Sequence, residues 1–148
     1  MNAMWVSSQE ETVNIRPLNY KKYNISGKRF KELYYFCLQY TEWKDELKYN
    51  SDTLKSIQVT DMPTGHDIGD PTQKLAIRRI QLEENCKLIE QTVLDTDKEI
   101  AVYLLKAITD ENITYRYLKM VMGIPCSRNT YYERRHKFYW LLDKRKIL

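Results

Sequence analysis

The chain has 148 residues, a length that suits a single domain and leaves no room for most multi-domain enzymes. Its 12 Tyr and 3 Trp stand beside only 4 Gly and 4 Pro, a scarcity of chain breakers that favours helices over a turn-rich sandwich or barrel. The formal charge of +4 is modest, and three isolated cysteines exclude a disulfide framework and fit a reduced, cytoplasmic setting.

Residues 1–16 have no clear period and read as a flexible N-terminal arm. From 17 to 48 the pattern predicts a helical hairpin. Ser26 serves as an N-cap, Phe30, Leu33, Tyr34, Cys37 and Leu38 form one apolar stripe, and Thr41 caps a second helix carrying Trp43 and Leu47. Residues 49–70 read as a connecting loop with a candidate short strand at Ile57–Val59. Within it, Met62–His66 reads as plain turn chemistry, because its one Gly and the absence of a following Lys make a poor phosphate cradle.

Asp70-Pro71 is a helix start, since Asp accepts from open backbone N–H groups and Pro lacks the donor that would go unsatisfied. The segment 71–109 then reads as a long helical scaffold. Leu75, Leu82, Cys86, Ile89 and Val93 continue to Ile100 as a seam, interrupted by Arg79. Such a seam either closes a bundle within the chain or pairs the 71–100 helix with a second copy as a homodimer. Asp95 or Asp97 begins a new helix or bends the old one, and Ile100, Tyr103, Leu104, Ala107 and Ile108 supply the next apolar face before Thr109–Asn112 ends it.

The remaining stretch, 110–148, carries the charge asymmetry. From Thr114 to Leu148 nine basic residues face only Glu133 and Asp143, an excess of seven, so the rest of the chain is at −3. That is the footprint of a polyanion-binding end joined to a more neutral scaffold. Tyr117, Leu118, Val121 and Met122 are expected to form the buried edge of a first helix, Gly123 to stop it with a positive φ, and Ile124 to tuck into the core. Pro125 blocks continuation and Ser127 caps a second helix whose core line is Tyr131, Phe138 and Leu142. Tyr139, Trp140 and Leu141 make its C-terminal half apolar almost all round and demand burial.

Helix, glycine turn and capped basic helix is the order of a helix-turn-helix. On it, Arg128, Asn129, Thr130 and Glu133 are the candidate base-reading group. Tyr132 and His136 are expected to project from the core line with Asn129 and Glu133, and Arg134, Arg135 and Lys137 to meet phosphates. The overall expectation is all-α: a helical hairpin and a long helix with a C-terminal helix-turn-helix DNA-binding region.

The run MGIPCSRNTYYERRHKF resembles the end of small phage-encoded transcriptional regulators of the RinA and ArpU kind, and more distantly sigma-factor region 4. The matches are Gly123, Ile124, Ser127, Thr130, Tyr132 and the arginines. The sequence departs from the pattern at Pro125-Cys126 in the turn and at Lys119, where a small residue is common. The resemblance implies a phage or prophage transcription regulator on double-stranded DNA, and its sigma-like part implies contact with host RNA polymerase. A phage small terminase subunit and a module binding an acidic protein are the alternatives. No cofactor, metal site, membrane span or enzyme activity is expected. The Glu83-Glu84 pair reads as a solvated face, and basic neighbours would lower the Cys126 pKa without supplying a base.

Overall fold

The computed structural model describes residues 23–57 and 70–147, with side chains described for all of these except 50–57. The described residues are all-helical: α1 (Gly27–Leu38), α2 (Tyr40–Ile57), α3 (Pro71–Thr96), α4 (Ala101–Ile108), α5 (Tyr115–Tyr117), a π-helical turn (Leu118–Met122) and α6 (Arg128–Arg145). None of these helices is long and apolar enough to cross a membrane. The expected arm, the Met62–His66 turn and most of the connecting loop lie outside the described residues.

The loop expected from residue 49 is a helix as far as Ile57, so the strand candidate is corrected at its first residue and otherwise lies beyond the described chain. Asn, Ser and Asp suggested a loop, yet each costs a helix only about 0.5 kcal/mol relative to Ala. Once the preceding turns are formed, three such residues do not stop propagation. The second helix also starts at Tyr40 rather than after a Thr41 cap.

The chain divides into two compact units, residues 40–87 and residues 1–39 with 88–148. In the first of these, Trp43, Leu82 and Cys86 are buried. Arg78 donates to both oxygens of Glu46 at 2.8 and 3.1 Å. This pair is solvent-exposed and adds orientation more than stability.

The other unit holds the aromatic core. Ser26 accepts from the Arg29 N–H at 3.2 Å and starts α1, which buries Phe30, Leu33, Tyr34 and Cys37. α1 packs on α6 and on α4. From α6 come Tyr131, Phe138, Tyr139 and Leu142, each at most 1% exposed; Phe30 and Tyr139 meet edge to face at 4.8 Å. α3 contributes Ile89 and Val93, and α4 contributes Ala101, Leu104, Ala107 and Ile108. The core demanded for the C-terminal half of α6 is met by Tyr139 and Leu142, while Trp140 and Leu141 are half-buried.

Asp97 decides where α3 stops. The helix ends at Thr96, and Asp97 Oδ1 accepts from the Glu99 N–H at 2.9 Å, a side-chain turn that redirects the chain into α4. Ile100, expected as the last residue of the seam, therefore lies beyond α3 and is buried as the residue leading into α4.

Three tyrosine hydroxyls in this unit have opposite standing. Tyr115 donates to the carbonyl of Cys126 at 2.6 Å and ties α5 to the turn before α6. Tyr131 and Tyr139 bury hydroxyls that have no hydrogen-bond partner among the described residues. Tyr115→Phe is therefore expected to lower stability by about 1 kcal/mol, whereas Tyr131→Phe leaves it unchanged or raises it, as urea denaturation will show. Burial pushes the Tyr131 hydroxyl up to about 12, against a smaller lowering by Arg135, and pushes Tyr139 well above its ordinary value. Both ionise more easily unfolded, near 10, so the protein keeps its stability below that pH and loses it as pH rises toward 12. The alkaline transition is expected to be shallower in Tyr131→Phe.

Candidate nucleic-acid interface

The segment from Thr114 to α6 is shaped by two caps and one glycine. Thr114 accepts from the Tyr117 N–H at 3.1 Å and starts α5. Three residues later the helix widens: the Leu118 carbonyl accepts from Gly123 and, at 3.0 Å, from Ile124. Gly123 takes φ 72°, the left-handed region where any side chain adds strain, and Ile124 follows into the core at 1% exposure. Ser127 then accepts from the Thr130 N–H at 3.2 Å and starts α6, its hydroxyl also reaching the Thr130 hydroxyl at 3.0 Å.

The wide turn corrects the expected buried edge. Of Tyr117, Leu118, Val121 and Met122, Leu118 is fully buried and Met122 half-buried, while Tyr117 and Val121 are 40% and 65% exposed. A spacing rule of 3.6 residues does not hold where the backbone closes on the fifth or sixth residue instead of the fourth.

The candidate residues of α6 fall into three groups. Arg128 and Asn129 are exposed at its first turn, with the Arg128 guanidinium 5.1 Å over the Tyr115 ring, and Thr130 is half-buried beside the cap. Glu133, Arg134 and Lys137 are half-buried and engaged with the chain itself. Arg134 Nε donates to Asp97 at 2.9 Å while its Nη1 meets Glu133, and Lys137 donates to the Thr96 carbonyl at 3.3 Å. The bond to Asp97 is the main reason the Arg134 pKa is raised.

Tyr132, Arg135 and His136 form the third group and are corrected: they are buried, at 5%, 1% and 3% exposure, and do not project from the core. α6 is covered on more than one side, so side chains next to the Tyr131 line are enclosed as well. Arg135 lies between aromatic rings, 5.7 Å from that of Phe30 and 5.3 Å from that of Tyr139.

Part of the positive charge of α6 is engaged within the chain. Arg145 pairs with Asp95 at 2.6 Å, and Lys144 lies 4.4 Å over Trp140. Arg116, Lys119 and Arg128 are exposed and have no carboxylate partner among the described residues, so one group of uncompensated cations lies where α5 and the π turn lead into α6, while Lys144 is another at the far end of that helix. From the sequence, Arg116 counts only toward net charge, and Lys119 toward net charge and as a departure from the resembled pattern. Their role becomes visible once each cation is matched to its counter-ion. Asp97, 37 positions before Arg134, was likewise read only as a helix boundary.

Cys126 is also corrected. Burial, with a further contribution from Asp97, raises its pKa, outweighing the lowering by Lys119 and Arg134.

No protein-family model, curated protein or solved structure matches the chain.

Proposed function

We propose that the chain is a DNA-binding transcriptional regulator of phage or prophage type that docks the start of α6 on duplex DNA without chemistry. The observation that carries this reading is the exposed first turn of a capped, 18-residue helix bearing Arg128 and Asn129, with Arg116 and Lys119 uncompensated in the preceding elements. A forked guanidinium and a side-chain amide are the groups that read guanine and adenine edges, and helix N–H groups favour phosphate. The readers are then Arg128, Asn129 and Thr130, with phosphate attraction from the uncompensated cations. Tyr132, Arg135 and His136 act only by holding the helix.

The test is fluorescence anisotropy of a random-sequence duplex titrated with wild-type protein and with Arg128→Ala, across a salt series. Log affinity is expected to fall linearly with log salt, and the variant, which loses one cation from the docking face, to bind more weakly with a shallower slope. Asn129→Ala is expected to leave that slope unchanged and to relax sequence preference once an operator is found. Absence of binding at low salt rejects the reading.

A further inference from the structure

The turn that presents Arg116 and Lys119 also exposes three large apolar side chains, at 40% for Tyr117, 75% for Met120 and 65% for Val121. They are contiguous: together with Asn112, Thr114 and Arg116 they line one cleft. Their exposure is fixed by the backbone, because the Leu118 carbonyl accepts from both Gly123 and Ile124 and holds the wide turn closed. Leu118 and Ile124 anchor that turn from the buried side. Rotating Val121 or Met120 inward would require breaking these bonds.

We propose that this face docks an acidic, amphipathic helical segment of a second protein. An exposed apolar group edged by charge marks an interaction site more often than a solvated surface. Of the residues lining the cleft Arg116 alone is charged, and Lys119 is exposed on the same turn, while Asp110 and Glu111 precede Asn112 in the chain. A second copy would bring the same two cations against these, so like-charge repulsion argues against self-association. Duplex DNA would satisfy Arg116 and Lys119 but leave Met120 and Val121 against phosphates and water. A helix with leucines on one edge and glutamates beside them satisfies both, and the unbranched Met120 side chain adapts to it. The cleft is small, which places the contact among weak and transient ones. This inference does not rest on DNA binding through Arg128.

The experiment titrates the full-length, isotope-labelled protein with three synthetic peptides: an amphipathic Leu/Glu helix, its Leu/Lys counterpart and an all-Glu control. Amide shifts are expected to centre on Tyr117–Gly123 with the Leu/Glu peptide alone. Met120→Ser/Val121→Ser, whose sites are solvent-exposed, is expected to weaken that binding at least tenfold with an unchanged helical signal. Arg116→Ala/Lys119→Ala is expected to weaken it as well. No binding of the Leu/Glu peptide, equal binding of the Leu/Lys or all-Glu peptide, or undiminished binding by the serine variant overturns the proposal. So does loss of duplex binding in the serine variant, which would assign the face to DNA, or its shifts appearing on concentration alone, which would assign it to a second copy.

Discussion

Arg135→Met is expected to raise the stability of the protein by about 1–4 kcal/mol, read as a higher urea midpoint at an unchanged slope. The side chain is 1% exposed, and among the described residues its Nε and Nη1 have no hydrogen-bond partner and no carboxylate pairs with it. Removing a guanidinium from water costs several kcal/mol even after relaxation. The Phe30 and Tyr139 rings return about 2 kcal/mol through their faces, which leaves the cation uncompensated. Methionine keeps most of the volume, adapts to the rings and needs no hydrogen bonds. Arg135→Ala is expected to lower stability instead, because it leaves a cavity against Phe30 and Tyr139, at a cost of about 2–5 kcal/mol. If methionine also destabilises, the arginine fits its aromatic surroundings better than its missing partners imply. Neither change is expected to alter the salt slope of DNA binding per folded molecule, since the side chain is 1% exposed.

The position of Arg135 shows what was legible and what was not. Tyr131, Arg135, Phe138 and Leu142 follow one another at steps of four, three and four, one face of a helix, so the spacing already placed Arg135 on the core line. Its charge suggested the surface, and for this residue geometry outweighs residue type. The starts of α1, α3 and α6 were readable because each has a local chemical signature: Ser26, Asp70 and Ser127 all accept from backbone N–H groups. Gly123 was readable for the same reason, as a residue suited to a positive φ. The π turn was not, because its wide closure depends on Ile124 finding the core, which no spacing in Leu118–Met122 encodes. The ion pairs of α6 were also hidden. Arg134 and Arg145 meet Asp97 and Asp95 across 37 and 50 positions, distances over which only the folded backbone brings charges together. As a result the basic excess was assigned to 114–148 as a whole, although Arg134 and Arg145 are neutralised by Asp97 and Asp95.

Asp97 therefore offers a change with opposite effects on fold and function. Its Oδ2 accepts from Arg134 at 2.9 Å and its Oδ1 from the Glu99 N–H, with both ion-pair partners largely shielded from solvent. Asp97→Asn retains an oxygen for the turn and removes only the charge, so it is expected to cost about 1 kcal/mol, whereas Asp97→Ala loses the turn as well and costs more. With Asp97 neutral, Arg134 retains Glu133 alone, and the region beside α6 gains one unit of positive charge. If α6 docks on duplex DNA, Asp97→Asn binds a random duplex several-fold more tightly at low salt, and its salt slope steepens by about 0.9 as Arg134 becomes available to a phosphate. A variant less stable than wild type that nevertheless binds more tightly cannot owe its affinity to better folding, so the two effects are separable in one protein. Unchanged or weaker binding, with the helical signal intact, would mean that Arg134 faces no phosphate, and would confine any duplex contact to the first turn around Arg128 and Asn129.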